Sequence, residues 1–132
     1  MEIHVNTNNK GFTLVEFLVA LVILMVGLLG LLEVVNFALS HNMVNMLRQE
    51  ASMLADDRMN HEKIKTFAQI STPIVKSDST QRVVNGAFRN YSVVKTNSDM
   101  TSQTKNIDIQ VSWRYKKDRY NHSISSMVSK FE

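Results

Sequence analysis

From Phe12 to Leu32 the chain reads FTLVEFLVALVILMVGLLGLL, and 17 of these 21 positions are apolar. At ~1.5 Å rise per residue such a run spans roughly 31 Å as a helix, about the hydrocarbon thickness of a bilayer. No charge falls between Phe17 and Leu32, and only Gly27 and Gly30 interrupt the apolar residues. The pattern predicts a membrane-spanning helix over 12–32. A chain of 132 residues is too small to wrap such a helix on all sides as a soluble core would. A cleavable secretory signal fits less well. The run is long for one, no A-x-A-like site follows it, and Glu16 sits inside its start. A carboxylate within lipid costs roughly 2.5–3.5 kcal/mol at a helix centre and less near an end, so Glu16 reads as functional.

Past Leu32 the apolar positions thin without a break. Leu39, Met43, Met46, Leu47, Ala51 and Leu54 recur mostly at steps of three and four, flanked by Arg48, Gln49, Glu50, Asp56, Asp57 and Arg58. That is one face of an amphipathic helix. Neither proline nor glycine occurs from Leu31 to Thr72, which predicts one helix from Phe12 to about Asn60 or Phe67. Met43, Met46, Met53 and Met59 are expected to pack rather than to ligate.

The texture then changes. No leucine follows Leu54, whereas seven valines and six isoleucines do. Ser71-Thr72-Pro73 ends any helix, and Lys76 to Gln81 reads as a polar loop. Phe88 to Val94 alternates moderately. Ile107, Ile109, Val111, Trp113 and Tyr115 alternate strictly with polar residues, as a half-buried strand requires. Lys116-Lys117-Asp118 predicts a turn, and Tyr120 to Val128 a returning strand. The expected architecture is α+β: a long N-terminal transmembrane and amphipathic helix packed on a small antiparallel sheet of three or four strands. The expected divisions are 1–11, 12–32, 33–67 and 68–132.

Lys10-Gly11-Phe12-Thr13-Leu14-Val15-Glu16, followed at once by the apolar helix, resembles the class III signal of type IV pilins and pseudopilins. The resemblance implies that 1–11 is a leader, that a prepilin peptidase cuts between Gly11 and Phe12, and that the new terminus on Phe12 is N-methylated. It also implies that Glu16 pairs with the N-terminal ammonium of a neighbouring subunit. Two charges neutralised within lipid would draw subunits into register. Gly11 lets a tight protease site reach the bond after it, and Lys10 favours keeping the leader cytoplasmic. The chain departs from major pilins in lacking a helix-kinking proline in the membrane segment, its one proline being Pro73. Gly27 and Gly30 supply either local softness or close helix packing.

The stretch Leu47 to Ala51, the run Leu54 to Asn60 and the strand Ile109 to Trp113 are similar to V-type minor pilins. The resemblance thus implies a non-enzymatic structural subunit that helps prime type IV pilus assembly and is carried at or near the tip. Its implied partners are the prepilin peptidase, other minor pilins, the major pilin and the inner-membrane assembly platform. It implies an inner-membrane, single-pass chain with cytoplasmic N-terminus and periplasmic C-terminal domain, later in the pilus. An I-type pseudopilin of type II secretion is one alternative, and a DNA-binding minor pilin for natural transformation another.

Composition sharpens only part of this. There is no cysteine, so disulfides and thiolate metal sites are excluded. His4, His41, His61 and His122 show no ligand spacing, no phosphate loop or G-x-S-x-G element occurs, and no metal or cofactor is expected. From Pro73 onward ten Lys or Arg face five Asp or Glu. Lys116, Lys117 and Arg119 cluster at the expected hairpin tip, beside Arg114, Tyr115 and Tyr120, where they could touch DNA or another anion. A solubilising turn explains the same charges more simply.

Overall fold

The computed structural model describes residues 11–130. A single helix, α1, runs Leu14–Lys63 over 50 residues. Thr13 starts it: the Thr13 hydroxyl accepts the Glu16 backbone N–H at 3.2 Å, and the Thr13 carbonyl accepts that of Phe17 at 3.1 Å. Glu16 in the first turn and Lys63 in the last place charges of the sign that the helix dipole favours at each end. The helix stops between the two expected limits. A short 3₁₀ turn, Phe67–Gln69, follows. Lys105 ties this connection to the sheet by donating to the carbonyls of Phe67 at 3.0 Å and Ile70 at 2.6 Å.

The chain forms two compact units, dividing after Ser40. In the first, every described residue up to Leu39 is exposed. An 18-residue window of α1 reaches a mean hydropathy of 2.9 with none of its residues buried. Exposed apolar surface on this scale is unfavourable in water and suits lipid.

The second unit holds the sheet: β1 (Ile74–Val84), β2 (Ala87–Thr101), β3 (Thr104–Tyr115) and β4 (Asp118–Ser129). They pair antiparallel in the order β1-β2-β3-β4. One face of α1, formed by Leu47, Ala51, Leu54, Ala55 and Met59, packs with Tyr91 and Val93 of β2 and with Ile107, Ile109, Val111 and Trp113 of β3. The strict alternation over 107–115 is thus the centre of the core. The apolar stripe of the helix begins later than its spacing suggests, because Leu39 is exposed. Of the four methionines on this half of α1, Met43, Met46 and Met59 pack and Met53 is exposed.

The expected polar loop at Lys76 to Gln81 is instead the middle of β1. Its inward side chains are charged and polar because they meet charges on the helix. Arg58 donates to Asp78 and to the Thr80 hydroxyl, both at 3.0 Å. Arg82 lies 3.6 Å from Glu50. Alternation of apolar and polar residues therefore cannot reveal this strand. Asn85-Gly86 could have revealed it: both residues have positive φ, 49° and 73°, as a two-residue type I′ hairpin turn demands.

Tyr91 shows how closely the helix meets the sheet. It is fully buried, and its hydroxyl donates to the Leu47 carbonyl at 3.2 Å. Burial, with the nearby Glu50 charge, pushes its phenol up to about 12. The neutral form is thus favoured by the fold, and this contribution is lost as pH rises from about 10 through about 12. Among the three tyrosines, one is expected to ionise only near pH 12 in an ultraviolet titration. Tyr91→Phe should remove that late step, and a late step surviving in the variant would contradict the assignment.

Candidate functional site

The N-terminal site is built from the first turn of α1. Gly11, Phe12 and Thr13 precede the helix in non-helical, exposed conformation, and Phe12 is 88% exposed. Glu16 lies one turn beyond, also exposed, and forms no ion pair among the described residues. The Gly11–Phe12 junction and the Glu16 side chain are thus both exposed. Lys10 lies outside the described residues. Thr13 has a role that sequence reasoning missed, although Thr13-x-x-Glu16 is the signature of a helix-capping pair. With its hydroxyl holding the Glu16 amide, the helix begins at a defined residue and Glu16 occupies a defined position in its first turn. At Gly27 and Gly30 a methyl group would meet nothing within 4 Å, so no contact among the described residues requires either glycine.

The β3–β4 hairpin carries the basic cluster, and the fold divides it. Arg114 and Arg119 stand directly opposite one another. Lys116 and Lys117 form the turn, Lys116 with φ of 55° and its ammonium 5.5 Å from the Tyr115 ring centroid. Tyr120 packs against the core, stacked on Trp113 with ring centroids 5.8 Å apart. It is thus on the helix side of the sheet and not a second aromatic at the tip.

The third cluster lies where α1 meets β2. Glu62 is 7% exposed and accepts Lys65 at 2.6 Å and Lys95 at 2.7 Å. Burial alone would raise its carboxyl, but the two lysines outweigh this and hold it below the ordinary value of 4.5. This is a buried ion pair within the fold, with both partners supplied by the chain. Among the described residues no group of three His, Asp or Glu is placed to hold a metal ion.

A long apolar helix with an exposed carboxylate in its first turn, continuing into a four-stranded antiparallel sheet, is a pilin-like α+β arrangement. Residues 6–32 match the family model of the prokaryotic N-terminal methylation motif. No curated protein and no solved structure matches the chain. The motif and the apolar helix together support a type IV pilin- or pseudopilin-like prepilin with a transmembrane helix. They suit anchoring in the inner membrane, and the motif implies processing by a prepilin peptidase and partners in a membrane-based assembly.

Proposed function

We propose that the chain is a minor pilin, a structural subunit that helps prime type IV pilus assembly and is incorporated at or near the tip. The observation that carries the pilin part of this reading is the exposed Gly11–Phe12 junction, with Glu16 one turn into a wholly exposed apolar helix. In this reading the peptidase cuts after Gly11 on the cytoplasmic side, Phe12 is methylated, and the sheet domain lies in the periplasm. Glu16 accepts the Phe12 ammonium of a neighbour, and the sheet domain meets other minor pilins. The likeness of 47–60 and 109–113 to V-type minor pilins supports the finer assignment. The same N-terminus suits an I-type pseudopilin, which differs in the machine it joins.

Mass spectrometry of the membrane-extracted chain tests the processing step. The expected N-terminus is methylated Phe12, and an unmethylated or differently placed terminus overturns it. Co-purification with pilus rather than secretion subunits, after crosslinking in the membrane, tests the choice of machine.

A further inference from the structure

The face of the sheet turned away from α1 bears a groove that the N-terminal chemistry does not explain. It is an open depression of about 440 Å³ lined by outward residues that include Ser79, Phe88, Ser92, Ser112, Arg114 and Arg119. A second hollow of about 290 Å³ shares Ser112 and Arg119 with it. The larger volume falls within the roughly 300–1,000 Å³ of small-ligand sites.

Three features of the groove point to one ligand chemistry. First, Arg114 and Arg119 are directly opposed across β3 and β4, where like charges repel. Neither is ion-paired among the described residues, and no carboxylate lines the groove. Two unneutralised guanidinium groups side by side match the two oxygens of a carboxylate. Second, the groove floor is neutral and rich in hydrogen-bonding groups. One rung of the sheet, Ser79–Ser92–Ser112–Asn121, crosses all four strands. Third, Phe88 is 72% exposed at the groove edge and offers a flat apolar face of the kind a pyranose ring covers with its C–H groups.

We propose that this groove binds an acidic saccharide, a chain of sugars bearing carboxylates. Arg114 and Arg119 take a carboxylate, the serine rung takes ring hydroxyls, and Phe88 covers one sugar face. A nucleic acid fits this surface less well. Its affinity grows with the number of phosphates neutralised, and the outward cations lining the groove are the single opposed pair Arg114 and Arg119. Lys116 and Lys117 do not line it.

The inference concerns the unassembled chain and does not rest on the processing or assembly of the N-terminus. The test uses the full chain in a sugar-free polyoxyethylene detergent at ~0.15 M salt, titrated by calorimetry with hexameric oligogalacturonate. Binding is expected, and it should vanish with the methyl-esterified oligomer. The Arg114→Gln, Arg119→Gln double variant should bind roughly ten-fold or more weakly, and Phe88→Ser several-fold more weakly. Lys116→Gln with Lys117→Gln should bind like the parent chain. All these positions face outward or form the turn, so unchanged melting of each variant verifies folding. Absence of binding at millimolar oligomer overturns the proposal, as does equal binding of the ester. Oligodeoxythymidylate binding tighter than the saccharide, and lost with Lys116 and Lys117, would overturn it in favour of a nucleic-acid surface.

Discussion

With Glu16 replaced by alanine, the chain is expected, under the proposed function, to be cleaved after Gly11 and yet to be missing from the assembled filament. The two outcomes separate because they depend on different atoms. Cleavage needs the exposed junction at Gly11 and Phe12, which the substitution does not touch. The helix start also survives, because Thr13 accepts the backbone N–H of residue 16 and not its side chain. Insertion of the monomer should become easier, since a carboxylate in lipid is unfavourable by up to roughly 2.5–3.5 kcal/mol. A loss of incorporation must then come from the absent partner for a neighbour's ammonium. Glu16→Gln should fail in the same way, because it keeps the shape but not the charge. The measurement is the fraction of processed chain that sediments with sheared filaments, compared with the fraction left in membranes. Normal incorporation of either variant would refute the pairing role.

Leu54→Ala should produce a large loss of domain stability. Leu54 is 1% exposed and lies in the middle of the helix stripe that faces β2 and β3. Truncating such a side chain in a packed core is destabilising by about 2–5 kcal/mol. For a domain of this size that corresponds to a melting decrease of roughly 10 °C or more. Leu39→Ala is the paired comparison. Leu39 follows the same apolar spacing, but it is exposed, so the melt of the sheet domain should move by no more than about 0.5 kcal/mol. The sole tryptophan, Trp113, is buried in that domain, so its fluorescence reports both variants. Equal effects at the two positions would contradict the described packing.

Apolar patterning was sufficient wherever removal from water, into lipid or into the core, decides structure. The helix from Leu14, the alternation over 107–115 and the returning strand near the C-terminus are of this kind. Legibility failed at β1 because its inner face is satisfied by ion pairs, which leave no apolar signature. It also failed for Leu39 and Met53, whose spacing and chemistry match their buried neighbours. Gly11, Phe12 and Glu16 stood out because glycine, aromatic and carboxylate precede an apolar run at fixed offsets. The outer groove was half legible. Arg119 was visible as part of a basic cluster, but its pairing with Arg114 and its separation from Lys116 and Lys117 depend on strand register. Phe88 gave no signal as a surface residue, since an aromatic in a strand ordinarily faces the core.

The ion pairs along β1 and β2 have a consequence for how the helix chooses its position. Contacts among Leu, Ala and Met are non-directional, and a helix could slide by one turn and still cover the sheet. The charges oppose it. Arg58 faces Asp78 and Glu62 faces Lys95, and these two helix positions are four residues apart. A slide of one turn in one direction would carry Glu62 onto Asp78; in the other it would carry Arg58 onto Lys95. Either error sets like charges together. Exposed pairs such as Arg58–Asp78 add little to total stability, yet their order along the helix works as an alignment code. The apolar stripe supplies the adhesion, and the sequence of signs selects one alignment among those that adhesion alone would accept.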